Sequence, residues 1–212
     1  MTPAEQSLAA RRIAALAPII PVLVVEDAAD ARPLAEALVA GGLPALEVTL
    51  RTATALEVIA EMAQVAGGVV GAGTLLTPHD VERAKAAGAR FGVSPGATAK
   101  LIDACIASEL PLLPGAATAS EVMALFEQGF DMLKLFPAEA AGGAALLKAI
   151  GAPIPQVMFC PTGGVTAANA HTYLSLPNVL CAGGSWVAPK DAVEAGDWDR
   201  IRALAAEAAK LS

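Results

Sequence analysis

An ionisable side chain inside an apolar strand is expensive unless the site uses it. Lys134 is the single charge in the run Met132-Leu133-Lys134-Leu135-Phe136-Pro137. Side chains alternate along a strand, so Met132, Lys134 and Phe136 share one face while Leu133 and Leu135 share the other. If the first face lines a partly desolvated cavity, the ammonium becomes costly and a neighbouring cation adds to that cost. The neutral amine that attacks a ketone then becomes available, which makes Lys134 a Schiff-base nucleophile. A strand-end lysine reaching out to water is the alternative, and the segment alone leaves both open.

A second polar face lies in Leu46-Glu47-Val48-Thr49-Leu50-Arg51, where Glu47, Thr49 and Arg51 alternate with apolar residues. In chemical terms Glu47 moves protons and Arg51 grips a carboxylate with two parallel hydrogen bonds. A structural Glu–Arg ion pair is the competing reading. Thr74, after Gly71-Ala72-Gly73, adds a hydroxyl. Two glycine turns, Pro161-Thr162-Gly163-Gly164-Val165 and Gly183-Gly184-Ser185, can aim backbone N–H groups at an anion such as phosphate, the first ahead of a helix expected from near Thr166. Glycine is common in tight turns, so it is the pair that carries weight.

The chain has 212 residues, 55% of them hydrophobic and only 4% aromatic, which suits one α/β domain over residues 1–212. The apolar run from Ile13 to Val25 is broken by Pro18 and Pro21 and falls short of the roughly 20 residues of a membrane span. Arg11-Arg12 imitates the start of a secretory signal without a clean cleavage site, so a cytoplasmic protein is expected. A net charge of −7 argues against nucleic acid and membrane surfaces as partners, and leaves an anionic substrate to be held by local groups. Cys105, Cys160 and Cys181 lack metal or disulfide spacing and read as reduced, buried residues. His79 and His171 are scattered, and no nucleotide loop or serine elbow is present, so neither metal nor cofactor is expected.

These residues need a scaffold that brings several strand ends together. Strand-like runs fall at residues 19–25, 45–50, 69–73, 90–94, 110–113, 131–136, 156–160 and 179–182, alternating with Ala-rich helical patterns. Their tips, Glu26, Arg51, Thr74, Pro95, Gly115, Lys134, Gly163 and Gly184, recur every 19 to 29 residues. That period predicts a (β/α)8 TIM barrel, with a doubly wound open sheet as the runner-up. Asp30 is expected to cap a helix ending at Gly41-Gly42, and Thr77-Pro78 to open another. An N-terminal helix over residues 3–16 would plug the bottom of the barrel, and residues 199–211 would form the last helix.

Taken together, Leu46-Glu47-Val48-Thr49-Leu50-Arg51-Thr52, Gly71-Ala72-Gly73-Thr74, Ser94-Pro95-Gly96, Lys134-Leu135-Phe136-Pro137-Ala138-Glu139, Phe159-Cys160-Pro161-Thr162-Gly163-Gly164 and Gly183-Gly184-Ser185-Trp186 closely resemble the 2-keto-3-deoxy-6-phosphogluconate (KDPG) and 4-hydroxy-2-oxoglutarate aldolase family. The resemblance spans nearly the whole chain. It implies a metal-free class I aldolase of the Entner–Doudoroff pathway, a compact (β/α)8 barrel and a homotrimer. By matching positions it implies Lys134 as the Schiff-base lysine and Glu47 as the general acid/base. Arg51 and Thr74, helped by Pro95 and Phe136, would hold the substrate carboxylate, and Gly163, Gly164, Gly184 and Ser185 the phosphate. Related phosphogalactonate enzymes tend to carry Val where Thr162 stands, so Thr162 favours the gluconate epimer. The visible departure is acidic Glu26-Asp27 after the first strand, where other members can be basic, which would weaken or reshape part of the anion site.

Competing functions make different demands. A phosphosugar isomerase or epimerase would use the phosphate turns and a carboxylate without an interior lysine, and a non-catalytic phosphate-binding protein would need the turns alone. An aldolase for unphosphorylated 4-hydroxy-2-oxoglutarate uses the same imine chemistry and stands as a rival main activity or a second one.

Overall fold

The computed structural model describes residues 1–211; Ser212, the last residue of the expected domain, lies outside the described residues. Nine short strands alternate with helices: β1 Ile19–Leu23, β2 Ala45–Thr49, β3 Val69–Gly73, β4 Gly92–Val93, β5 Leu112–Leu113, β6 Gly115–Ala116, β7 Met132–Leu135, β8 Met158–Pro161 and β9 Ala182–Gly184. All strand pairs are parallel, in a six-stranded sheet ordered β5-β4-β3-β2-β1-β9 and a three-stranded sheet β6-β7-β8. The architecture is therefore α/β, with a parallel sheet that curls.

The two sheets meet at Pro114. The fifth strand, expected over residues 110–113, starts later and is split there: β5 pairs with β4, and β6 with β7. Proline has no N–H to give to a ladder, but its carbonyl accepts the Lys134 N–H at 2.9 Å. On the other side, isolated parallel bridges join Phe159 to Val179 and Thr162 to Gly183. The eighth strand is also displaced: of the expected 179–182, only Ala182 lies in β9, so Gly183 and Gly184 belong to the strand and not to a turn after it.

Alternation sorts the apolar side chains into two clusters. Leu46, Val48, Leu133, Leu135 and Phe159 face the helices. Ile20, Ala45, Val93, Leu113, Met132, Cys160 and Cys181 form an inner cluster with Phe91, and Ala14 of the helix Pro3–Ala14 joins it, with Ile13 packed alongside. That helix thus seals the inner space, but through Gln6, Ser7, Ala10 and Ala14, while Leu8 and Leu16 are exposed. It is held by Gln6, which donates to the Cys105 carbonyl at 2.8 Å, and by Ser7, which donates to Asp131 at 2.6 Å.

Local signals were mostly obeyed. Thr77 forms a capping box with Asp80 at the start of the helix Pro78–Ala86. Asp30 does not cap its helix, because a 3₁₀ turn over Ala28–Asp30 precedes the helix Ala31–Ala40 and Asp27 caps that turn. The last helix runs over Trp198–Ala208. Among the described residues no helix is long and apolar enough to cross a membrane.

Candidate active site

Residues two apart on a strand lie on one face about 6.6–6.8 Å apart. Ala45 and Met132 belong to the apolar inner cluster, so Glu47 and Lys134 stand one layer above it, nearer the C-terminal ends of the strands. There Lys134 Nζ donates to Glu47 Oε1 at 3.3 Å, with side chains only 6% and 4% exposed. The Lys134 ammonium also sits 5.3 Å from the centre of the Phe136 ring, a cation–π contact.

The lysine's charged neighbour is therefore an anion rather than the cation expected. In a buried ion pair the attraction between the charges offsets the desolvation cost of both, and the pair supplies chemistry as well. As the lysine becomes nucleophilic its proton has an acceptor in direct reach. Glu47 pairs with Lys134 and not with Arg51, so the structural Glu–Arg pair is excluded; Arg51 makes no ion pair among the described residues.

Space for the pair comes from glycine. A Cβ on Gly73 would lie 2.3 Å from Glu47 Oε1, and one on Gly71 would strike the Phe91 ring. Both face inward, which accounts for the Gly71-Ala72-Gly73 pattern. Thr74 follows at φ 63°, a conformation that is strained for a β-branched residue and is found mostly where a site needs it.

Arg51 lies past the end of β2 and is exposed. Its Nε donates to Thr49 Oγ1 at 3.1 Å, and the Thr49 hydroxyl donates to the Leu23 carbonyl at 2.9 Å. With Nε engaged, the two terminal nitrogens remain to grip a carboxylate. Pro95 sits beside Gly115, where a Cβ would fall 2.3 Å from the Pro95 carbonyl oxygen.

The Phe136 ring reaches on toward the first glycine turn, 3.4 Å from where a Gly163 Cβ would be. Gly163 and Gly164 have φ of 99° and 81°, which glycine adopts freely. The helix expected from near Thr166 starts only at Ala170 and is a single short turn, because Asn169 Oδ1 accepts the Thr166 N–H at 2.7 Å and holds residues 166–169 as a turn. A helix N-terminus at Thr166 therefore does not contribute to anion binding. Thr162 is buried, and Gly183 leaves room for it: a Cβ there would lie 2.3 Å from Thr162 Oγ1. Gly184 similarly makes room for the Trp186 ring.

A family model described as KDPG and KHG aldolase matches residues 11–204. The chain belongs to the KDPG and KHG aldolase family. A relative from Pseudoalteromonas atlantica named 2-dehydro-3-deoxy-phosphogluconate aldolase is 53% identical over 192 residues, 90% of this chain and 89% of that one. Among solved structures, the Zymomonas mobilis ZM4 KDPG aldolase with 3-phosphoglycerate matches at TM-score 0.90 and 51% identity, covering 95% of each chain. The Legionella pneumophila KDPG aldolase, with pyruvate captured as a covalent carbinolamine, matches at TM-score 0.91 and 46% identity, covering 94% of this chain and 98% of that one.

The acidic residues that follow β1 line a cavity at that end of the strand. Glu26 and Asp27 share with Ser185 and Trp186 a cavity of about 640 Å³, floored by Val22 and Val24. Burial pushes the Cys105 thiol up to about 12, and a hydrogen bond donated to Cys160, together with burial, raises Cys181. Sequence reasoning gave no role to Thr49, Glu139, Asn169 or Tyr173, all of which brace the site. Thr49 left a signal as a polar residue between Glu47 and Arg51 on one strand face, and Glu139 as the last residue of the segment Lys134-Leu135-Phe136-Pro137-Ala138-Glu139.

Proposed function

We propose that this protein is a class I aldolase that cleaves 2-keto-3-deoxy-6-phosphogluconate reversibly to pyruvate and glyceraldehyde 3-phosphate. The observation that carries the reading is the buried Lys134–Glu47 pair at 3.3 Å above an apolar floor. An isomerase has no need of that lysine. The relatives' names, and the covalent pyruvate of the Legionella structure, support the same chemistry.

Lys134 gives its proton to Glu47 and its neutral amine attacks the C2 ketone; Glu47 passes that proton to the carbinolamine oxygen, which leaves as water to give a protonated imine and a free Glu47 carboxylate. Glu47, directly or through water, then takes the C4 hydroxyl proton as the C3–C4 bond breaks. The bond's electron pair moves into an enamine instead of a free carbanion, and glyceraldehyde 3-phosphate leaves as the aldehyde. Protonated Glu47 returns a proton to C3, and water hydrolyses the imine to release pyruvate and the amine. Arg51, with Thr74, Pro95 and Phe136 around it, holds the carboxylate. Gly163, Gly164, Gly184 and Ser185 hold the phosphate, and Thr162 selects the gluconate epimer.

The family description also covers KHG aldolase, so cleavage of 4-hydroxy-2-oxoglutarate is a second activity of the same pair. The split at Pro114 and the bridges Phe159–Val179 and Thr162–Gly183 support an eight-stranded (β/α)8 barrel formed as one domain over residues 1–212. We assign it to the Entner–Doudoroff pathway in the cytoplasm as a homotrimer. Exposed Met123 and Phe126, one turn apart on the helix Ala119–Glu127, suit contact between copies, and light scattering checks the mass.

Borohydride reduction with pyruvate tests the central claim. A stable mass increment is expected on the peptide containing Lys134. An adduct at Lys85, Lys100, Lys148, Lys190 or Lys210 instead refutes it.

A further inference from the structure

Behind the first glycine turn lies a polar network that the reaction does not use directly. Three successive carbonyls of the turn are tied down: Thr162 O accepts the Ala138 N–H at 2.8 Å, Gly163 O the Glu139 N–H at 3.0 Å, and Gly164 O the Asn169 Nδ2 at 3.0 Å. In a planar trans peptide the carbonyl of one residue and the N–H of the next point in opposite directions. The N–H groups of Gly163, Gly164 and Val165 are thereby turned away from the segments that hold the carbonyls.

Glu139 is the hub. Its carboxylate accepts hydrogen bonds from the buried Tyr173 hydroxyl and from Asn169 Nδ2, the latter at 3.3 Å. Its side chain fills the space beside Gly164, where a Cβ would come within 2.5 Å of Glu139 Cγ. Asn169 ties this hub to the turn's far end through Thr166. Burial, with the Glu139 hydrogen bond and charge, raises the Tyr173 phenol, so it stays a donor at any working pH.

We propose that Glu139, Asn169 and Tyr173 are positioning residues for the substrate phosphate, fixing the direction of the turn's amides without touching substrate; this rests on the phosphate assignment made above. A pre-set array of N–H groups binds an anion without reorganising first. On a chain of net charge −7, with Glu26 and Asp27 at the site's edge, that short-range array must supply the affinity.

The test measures steady-state kinetics of Tyr173→Phe and Asn169→Ala on 2-keto-3-deoxy-6-phosphogluconate and on 4-hydroxy-2-oxoglutarate, with inorganic phosphate as a competitive probe. Tyr173→Phe should raise KM for the phosphorylated substrate about 3–10-fold, the effect of one lost hydrogen bond, with a smaller change in kcat, and Asn169→Ala, which removes the bonds to Gly164, Glu139 and Thr166, should raise it at least as much. The inhibition constant of phosphate should rise in step, and the loss on the unphosphorylated substrate should be clearly smaller. Glu139→Gln, which keeps an acceptor for Tyr173, should be milder than Glu139→Ala. Equal losses on both substrates, or none, overturn the proposal. Should Tyr173→Phe fail to fold, Asn169→Ala, at a half-buried position, decides alone. Ser185→Ala runs in parallel: if it is selective for the phosphorylated substrate while Tyr173→Phe and Asn169→Ala are not, the phosphate site stands and the positioning role falls. If Ser185→Ala and the network variants are all unselective, the phosphate assignment itself fails.

Discussion

Glu47 and Lys134 meet across the interior of the curled sheet: 87 positions apart in sequence, they lie on strands that share no hydrogen-bonded neighbour. β2 is flanked by β1 and β3, and β7 by β6 and β8. Their 3.3 Å contact therefore depends on the sheet curving back on itself.

Glu47→Gln keeps the volume and removes the proton carrier. Aldol cleavage and proton exchange at the pyruvate methyl group should both fall by roughly 10²–10⁴, while borohydride still traps pyruvate on Lys134, more slowly. Near-normal turnover would remove Glu47 from the acid/base role.

The same pair governs stability. Lys134→Ala leaves the Glu47 carboxylate buried without its partner, and urea unfolding should show a loss of roughly 3–5 kcal/mol. The double variant Lys134→Ala, Glu47→Gln should recover much of it. Equal stability of the single variant and the parent would mean that the pair opens to water.

Gly73→Ala adds one methyl group 2.3 Å from Glu47 Oε1, without touching a charged group in sequence terms. The carboxylate must move, so turnover should drop at least tenfold, the cost of about 1.4 kcal/mol in transition-state stabilisation. Retained helical circular dichroism would show that the fold survives. Unchanged kcat would mean that Glu47 relaxes without consequence.

Arg51→Lys keeps the charge but loses both the planar fork and the Nε bond to Thr49. It should raise KM for keto acids more than it lowers kcat. Thr49→Val should act in the same direction through Arg51, and Thr49→Ser should restore most of the binding. A pure kcat effect would reassign Arg51 to the chemical step.

The chemical inventory was legible in the sequence because strand alternation is local. A period of two put Lys134 on the face of Met132, and Glu47 on the face of Thr49, whatever the sheet did next. The parallel α/β class followed from the repeated spacing, and the Thr77 cap from neighbours three residues apart. Which residue answers Glu47 was not legible. Arg51 is the nearest opposite charge in sequence, but Lys134 is the partner, because curl and register accumulate strand by strand and only their sum brings β2 to β7. The bend at Pro114, the cap on Asp27 and the brace of Glu139, Asn169 and Tyr173 behind the glycine turn were decided in the same way, by contacts that the assembled sheet and its connections make. Sequence by itself determined which groups could do chemistry. The tertiary structure decided which of them face each other, since pairwise contacts across an interior depend on the summed geometry of every strand between them.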